Sequence, residues 1–532
     1  MINLKSIIPL LHILAVSLLC IGSLFVSSSL FTDSQIVPKW MGTIAVCLLM
    51  VTGSSCCCLL GIRGKVRNAV GIWGSMFVLF CCLQALYGIL QFAGLLPSPS
   101  LYPVTGSFDN PAGFASCLCI GIPLAGFLWK SPCRSIRYAA WAAVAVMIIT
   151  VVLSESRAGM VSIGAVAVVW LWRRLHGKYR WGRYALLVLL LCLSAVGYWM
   201  KKDSADGRLL IWRCSLNMAM DAPLLGHGLN SFEAHYMDYQ AAYFGEHGQQ
   251  NRFALLADNV KQPFNEYLHV WLNFGIAGLA ALAVLAGWLI RCYRKHPNRE
   301  KRIAACALLS VGIFSLFSYP FTYPFTWIVV LWCIGLLARE PLQHLFRLPK
   351  VRYAACAVAL AGSLGGMYLW AERVRTELAW NRASNLALMG KYQKALPEYQ
   401  RLEASFADNP YFLYNYAAIL QEGRQYAESQ RIASQCRRHW ADYDLELILG
   451  ENCRHLQQPE QAVACYRRAS QMCPSRFLPL YKLFRFHKER GEQEQMEAVA
   501  REMLEKPVKI KTPAVLMMRR EAERSLASPT SP

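Results

Sequence analysis

Residues 136–172 read IRYAAWAAVAVMIITVVLSESRAGMVSIGAVAVVWLW. No charged side chain occurs from Tyr138 to Ser154, and none from Ala158 to Trp172. Two apolar runs turned by a tight corner of small residues predict a pair of helices crossing a bilayer. Each span must cover about 30 Å of hydrocarbon with roughly 20 apolar residues. Working outward, similar runs recur over the first 370 positions, at 7–28, 40–61, 69–94, 112–129, 184–200, 264–290, 303–319, 324–338 and 351–370. With 136–153 and 158–172 they make about eleven expected spans, of which 158–172 and 324–338 are the shortest. The expected fold class is all-α: a polytopic membrane helix bundle over 1–370, followed by a soluble helical-repeat domain.

The composition agrees. Of 532 residues 55% are hydrophobic and 17% charged, where soluble domains carry about 25% charged. A soluble enzyme, a disordered chain and a fibrous protein are excluded. Lys and Arg number 55 against 33 acidic residues, a net charge of +22. That excess calls for no nucleic acid, because polytopic proteins gather Lys and Arg in their cytoplasmic loops. Loops 62–68, 130–135, 173–183, 291–302 and 339–352 are rich in both, whereas 29–39, 95–111 and 320–323 hold only Lys39. The alternation predicts a cytoplasmic N-terminus and everything after residue 370 on the outer side of the membrane. The apolar stretch from Ile7 to about Phe31 is too long for a secretory signal and reads as an uncleaved first span. Most of the 20 Cys lie within apolar runs, where Cys acts as a small hydrophobe. No zinc-type CxxC spacing accompanies them, so neither a metal nor a disulfide framework is expected.

Two segments depart from the pattern. The loop 201–263 is far longer than ordinary connections, and carries Arg208, Trp212, Arg213, His227, His235, His247 and Arg252. Residues 208–221 have helical spacing and stop before Ala222-Pro223. A long ordered loop of this kind suggests a lid or binding element. From about Ala371 the chain becomes charged and amphipathic. Equivalent positions at Ala395, Ser429, Ala462 and Met496 lie 34, 33 and 34 residues apart, the period of tetratricopeptide repeats. An α-solenoid over 371–525 is expected, with a concave surface for polypeptide and a disordered tail at 526–532.

Candidate chemistry gathers on the external side. Arg157 stands in the corner Ser154-Glu155-Ser156-Arg157-Ala158-Gly159, and Arg208 opens the loop helix in Gly207-Arg208-Leu209-Leu210-Ile211-Trp212. Arg157 alone reads equally as an interfacial charge paired with Glu155, and Arg208 alone as a solvated charge. Two on one side change the weighting, since a guanidinium fork grips phosphate oxygens as Lys does not. Three motifs share that side: Thr105-Gly106-Ser107-Phe108-Asp109-Asn110-Pro111, Leu225-Gly226-His227-Gly228-Leu229-Asn230-Ser231-Phe232, and Phe264-Asn265-Glu266-Tyr267-Leu268-His269 running on to Gly275-Ile276-Ala277-Gly278-Leu279.

In their order these motifs resemble the O-antigen ligase and polymerase superfamily of polytopic membrane glycosyltransferases. The counterparts are Gly106–Pro111, Ser156–Ala158, Gly207–Trp212, Pro223–Phe232 and Phe264–Leu268 with Gly275–Leu279, covering about residues 40–340. The resemblance implies transfer of a glycan from an undecaprenyl-diphosphate carrier to an acceptor hydroxyl on the periplasmic face, with neither metal nor cofactor. Arg157 and Arg208 would hold the diphosphate, with Asn110, Arg213, His227 and Asn265 as accessory residues. One departure matters: the family's His position falls on Phe264, which cannot take a proton. Glu266 and His269, three apart on a helix start, are the candidate bases. The alternative reading has Glu266 stabilising the helix N-terminus and His269 packing between helices.

The acceptor divides the resemblance three ways: lipid A-core, a growing polysaccharide, or a Ser/Thr of an exported protein. The repeats tilt towards a protein acceptor or partner. A transporter or flippase is the rival from another class; such proteins set binding residues at mid-bilayer in repeated halves, and no matching halves are visible here. A membrane-tethered scaffold is the third class, and would leave the arginines unexplained.

Overall fold

The computed structural model describes residues 4–62, 69–129, 131–172, 181–182, 184, 188, 198–199, 202–248, 251–346 and 348–527. The expected span at 184–200 lies almost wholly outside these residues, as does most of the expected tail. Among the described residues every regular element is a helix. The first group is α1 Leu4–Phe25, α2 Ile36–Leu59, α3 Ala69–Phe92, α4 Pro111–Leu124, α5 Arg134–Leu153 and α6 Arg157–Trp172. The loop contributes α7 Lys202–Asp221 and α8 Ser231–His247; then come α9 Glu266–Lys295, α10 Arg299–Phe314, α11 Pro324–Leu337, α12 Arg339–Leu345 and α13 Pro349–Leu388. The remainder is α14 Tyr392–Leu402, α15 Pro410–Glu422, α16 Tyr426–Arg437, α17 Tyr443–His455, α18 Pro459–Met472, α19 Leu478–Glu489, α20 Gln493–Glu505 and α21 Pro513–Ala527.

Each described apolar run is thus a helix, and the chain is a multi-pass helical membrane protein. Among the described residues five helices (α2, α3, α5, α9 and α13) are long and apolar enough to cross a membrane, or six if the bent pair α11–α12 counts as one span. That is fewer than the eleven expected. The helices α4, α6, α10 and α11 have only 14 to 16 residues, about 21–24 Å at 1.5 Å per residue.

One compact unit comprises Met1–Gly197, Phe264–Glu266 and Ala281–Asn381. Its core is centred on α4, whose residues Gly113 to Gly121 are all buried. Phe80, Phe114, Leu118, Met147, Phe314 and Phe325 close round it. Lipid tails are as apolar as Leu, so such packing relies on small residues and polar contacts. Gly88 faces Phe114 and Thr150, where a Cβ would stand 2.6 and 2.9 Å from their side chains. Ser162 Oγ lies 2.9 Å from Ser310 Oγ, and Ser310 Oγ donates to the Cys119 carbonyl at 2.9 Å. These bonds join α4, α6 and α10.

The other unit comprises Tyr198–Pro263, Tyr267–Ala280 and Arg382–Pro532. The helices α15 to α20 pack in consecutive pairs. The turns inside the pairs place Arg424, Gln457 and Gly491 at φ of 58°, 57° and 70°, and the turn between α13 and α14 places Gly390 at 73°. These residues lie 34, 33 and 34 positions apart, the same period as the sequence reading. Each closes its helix with a six-to-one hydrogen bond: Lys391, Gln425, Gln458 and Glu492 donate N–H to Leu386, Leu420, Cys453 and His487 at 2.9–3.0 Å. This is the left-handed helix stop that glycine favours, met here twice by other residues. The repeat positions Ala395, Ser429, Ala462 and Met496 are all buried.

The long loop packs on these helices. Ala441 N–H donates to the Glu233 carbonyl at 2.9 Å, and Gln240 Nε2 to the Met472 carbonyl at 2.6 Å. Arg476 pairs with Asp258 at 2.9 Å, and Arg437 pairs with both Asp238 and the buried Glu446. The Lys261 ammonium lies 4.6 and 5.1 Å from the ring centres of Tyr411 and Trp440. The loop is thus an ordered, packed part of this unit.

Candidate active site

In the first unit, α5 ends and α6 begins across the corner at 154–157. Glu155 takes φ 53° there, a costly conformation for a residue with a side chain. Ser156 Oγ accepts the Gly159 N–H at 3.3 Å, which caps the new helix. A Cβ on Gly159 would stand 3.3 Å from that of Ala115. This close approach sets the first turn of α6, and with it half-buried Arg157, beside the N-terminal half of α4.

The turn before α4 is held by two glutamines that the sequence reading passed over. Gln91 Oε1 accepts the Thr105 and Gly106 N–H groups at 3.0 and 2.7 Å, while its Nε2 donates to the Gly106 carbonyl at 2.9 Å. Gln84 Oε1 accepts the Ser107 N–H at 3.0 Å, and its Nε2 donates to Ser107 Oγ at 2.7 Å. Two buried Gln seven apart on apolar α3 share one helix face, and that spacing was the available signal. Asn110 Oδ1 caps α4 by accepting the Gly113 N–H at 3.0 Å. Its Nδ2 donates to Tyr323 Oη at 2.7 Å and Tyr319 Oη at 3.2 Å. Tyr323 Oη in turn donates to Asp109 at 2.7 Å.

The start of α9 meets the same segment. Phe264 adopts φ 54°, and its ring stands edge-on to Tyr319 with centres 5.3 Å apart. The Glu266 N–H donates to the Ser315 carbonyl at 2.9 Å, and Glu266 Oε1 accepts the Phe321 N–H at 3.1 Å. Asn110 and Glu266 are therefore both tied to residues 315–323. Asn265 lies between Phe264 and Glu266 in this stretch.

The other unit holds Arg208, Arg213, His227 and His269. Arg208 is half-buried in the second turn of α7, and Trp212 Nε1 one turn on donates to the Pro263 carbonyl at 3.0 Å. The Arg213 guanidinium lies 5.2 Å from the Tyr243 ring centre, and His227 Nε2 bonds the Met218 carbonyl at 2.8 Å. Both accessory residues thus hold the loop together. His269 has a neighbour that the sequence did not single out, Glu233 on α8, within electrostatic reach together with Lys261. Burial pushes the Glu233 carboxyl above the ordinary carboxylate range, against the opposing pull of Tyr411, Lys261 and His269. Tyr411 Oη donates to Glu233 Oε1 at 3.2 Å.

Two of the sequence motifs prove to be one structural device. Gly275 is non-helical (φ 64°, ψ −162°), so α9 is broken there. The break frees carbonyls on one side and N–H groups on the other. The His227 and Gly228 N–H groups donate to the Leu272 and Asn273 carbonyls at 2.8 and 3.1 Å. The Ile276 and Ala277 N–H groups donate to the Pro223 and Leu224 carbonyls at 2.8 and 3.1 Å. The turn 223–228 therefore caps both half-helices. Asn273 Oδ1 completes the joint by accepting Ser231 Oγ–H at 2.8 Å. Among the described residues no three His, Cys, Asp or Glu side chains group as metal ligands would.

Residues 142–283 match the family described as O-Antigen ligase. That segment contains Arg157, Arg208, Glu233, Glu266, His269 and the joint at Gly275. A "General O-oligosaccharyltransferase" of Acinetobacter baylyi is 22% identical over 428 residues, covering 69% of this chain and 72% of that protein. Both likenesses point to an O-antigen ligase-like membrane glycosyltransferase.

Proposed function

We propose that the protein transfers a glycan from an undecaprenyl-diphosphate carrier to an acceptor hydroxyl at the periplasmic face of the inner membrane. The reading is carried by one observation: the segment that matches O-antigen ligases encloses both Arg157 and Arg208. In the reaction the acceptor oxygen bonds to the anomeric carbon while that carbon's bond to phosphate oxygen breaks. The lipid diphosphate departs with the electron pair. Cationic groups set in advance around developing charge are the largest catalytic contribution available in a water-poor site, and Arg157 and Arg208 take that role.

The acceptor proton needs a base, and Phe264 cannot serve. Glu266 and His269 are the candidates. His269 is favoured because the Glu266 carboxylate already accepts the Phe321 N–H, whereas the carboxyl near His269 is that of Glu233. The repeat unit lies in the periplasm in this reading, as tetratricopeptide-like helices with a polypeptide-binding role. An exported protein is the second acceptor reading, favoured over lipid A-core or polysaccharide by the oligosaccharyltransferase relative.

The test is Arg157→Ala and Arg208→Ala in the native organism, with lipid-linked and transferred glycans both measured. Donor should accumulate on the periplasmic leaflet while product disappears at unchanged protein level. Donor trapped on the cytoplasmic leaflet would indicate a flippase instead.

A further inference from the structure

One apolar surface serves neither the core nor the proposed chemistry. The inner face of α7 is buried through Leu210, Ile211, Cys214 and Met218. Its outer face shows Leu209, Leu216 and Met220, seven and then four residues apart, so they form one stripe. The stripe continues through Leu224, Leu225 and Leu229, and from Met220 onward these four side chains are 65 to 77% exposed. Arg213 falls within the stripe by position, but its guanidinium is turned back over the Tyr243 ring. Contiguous exposed leucines of this extent mark an interface.

What covers the stripe follows from the broken helix. Of the 30 residues of α9, ten precede Ile276 and twenty follow the break. Twenty residues at 1.5 Å each extend about 30 Å, the thickness of the hydrocarbon core. This half is bare along its length: Ile276, Val284, Leu285 and Trp288 are all exposed. It ends in Arg291, Arg294 and Lys295, as a span ends at the opposite headgroups. The first half is enclosed instead, with Leu268, Leu272 and Asn273 buried. The second half alone is long enough to cross the membrane, with Gly275 then at one boundary of the hydrocarbon. The turn 223–228 shares four backbone hydrogen bonds with that point, so Leu224 and Leu225 stand at the boundary too.

We infer that α7 and the turn through Leu229 lie in the plane of the membrane interface, with their outer stripe seated in lipid. Within the same unit Phe274 and Ile276, on either side of the break, are also about half exposed. Amphipathic helices of this kind bury their apolar face about 5–10 Å into the headgroup–acyl boundary. Lys202, Arg208 and Arg213 on the same helix then stand at the height of lipid phosphates. The inference does not depend on the enzyme reading.

The experiment uses the full chain in phosphatidylcholine nanodiscs, with one genetically encoded environment-sensitive fluorescent amino acid at Met220 or at Leu225. Gln457 in a repeat turn is the water-facing reference. Lipids brominated near the top of their acyl chains should quench the Met220 and Leu225 probes severalfold more than the Gln457 probe, with blue-shifted emission at both. Red-shifted, unquenched emission at Met220 and Leu225 overturns the inference and leaves the stripe to a protein partner. Quenching at Gln457 equal to theirs overturns it as well. A Leu225→Asp variant should release the Met220 probe from quenching; if that variant does not fold, the probes in the otherwise native chain decide alone.

Discussion

Gly226 lies with its backbone against that of Gly275. A Cβ on Gly226 would stand 2.6 Å from Phe274 N and 2.7 Å from Gly275 N, and one on Gly275 would overlap the Leu224 carbonyl. Both residues also occupy the left-handed region, at φ 71° and 64°. The contact explains why two glycine motifs nearly fifty residues apart occur in one chain: each supplies the backbone groups that the other lacks.

Gly275→Ala and Gly226→Ala should each destabilise the protein by about 2–4 kcal/mol, from the left-handed conformation together with the steric overlap. Thermal unfolding in detergent gives the measurement. Gly207→Ala is the control. Its Cβ would meet nothing within 4 Å, and inside a helix the change should be neutral or stabilising by up to about 1 kcal/mol.

Removing either guanidinium should slow transfer by about 10²–10³-fold, the usual cost of losing one preorganised charge-stabilising group. Arg157→Lys and Arg208→Lys keep the charge and lose the fork, so each should recover only part of the rate. Single-turnover transfer from a purified lipid-diphosphate donor separates this loss from weakened binding. Full rates in the Ala variants would remove both residues from the site.

Burial raises the Glu233 carboxyl above its ordinary range. If transfer needs the Glu233 carboxylate beside His269, the rate should fall as pH drops through that raised value, where the carboxylate is lost. Glu233→Gln should shift the acid limb and lower the plateau, and His269→Ala should remove activity. The stability effect has the opposite sense. A carboxyl raised in the folded state favours folding below its unfolded pKa and loses that contribution as pH rises through the folded value. An unshifted pH–rate profile in Glu233→Gln would return the base to Glu266.

Glu451 is half-buried, which alone would raise its pKa, yet hydrogen bonds and charges from Lys482 and Arg454 hold it at about 2. Lys482 Nζ and Tyr466 Oη reach its carboxylate at 2.9 and 3.0 Å, so α17, α18 and α19 meet there. A carboxyl lowered in the fold stabilises above its unfolded pKa and loses that contribution as pH falls towards about 2. Glu451→Gln should cost on the order of 2–3 kcal/mol near neutral pH and flatten the acid dependence. Hydrogen exchange over residues 443–489 of the full chain measures both.

The membrane helices were legible because an apolar run is a local property, and ten of the eleven expected runs fall on described helices. The repeat period was equally legible, since Gly390, Arg424, Gln457 and Gly491 recur at the spacing of the buried Ala395, Ser429, Ala462 and Met496. Span count was less so. The sequence marks apolarity, but short helices such as α4 are buried in protein on nearly every side rather than bare to lipid. Gln84, Gln91 and Glu233 escaped notice for a related reason: a polar residue in an apolar or mixed helix shows its purpose only when its partner is known.

The sequence by itself determined that this chain enters a membrane many times and ends in periodic helices, because side-chain apolarity and helical period are written residue by residue. Only the tertiary structure decided that α9 breaks at Gly275 and that the turn 223–228 mends it. A helix interrupted in its middle must find partners elsewhere for the backbone groups it frees. Which distant segment supplies them is settled by how the chain closes on itself, where two glycines without side chains let two backbones meet.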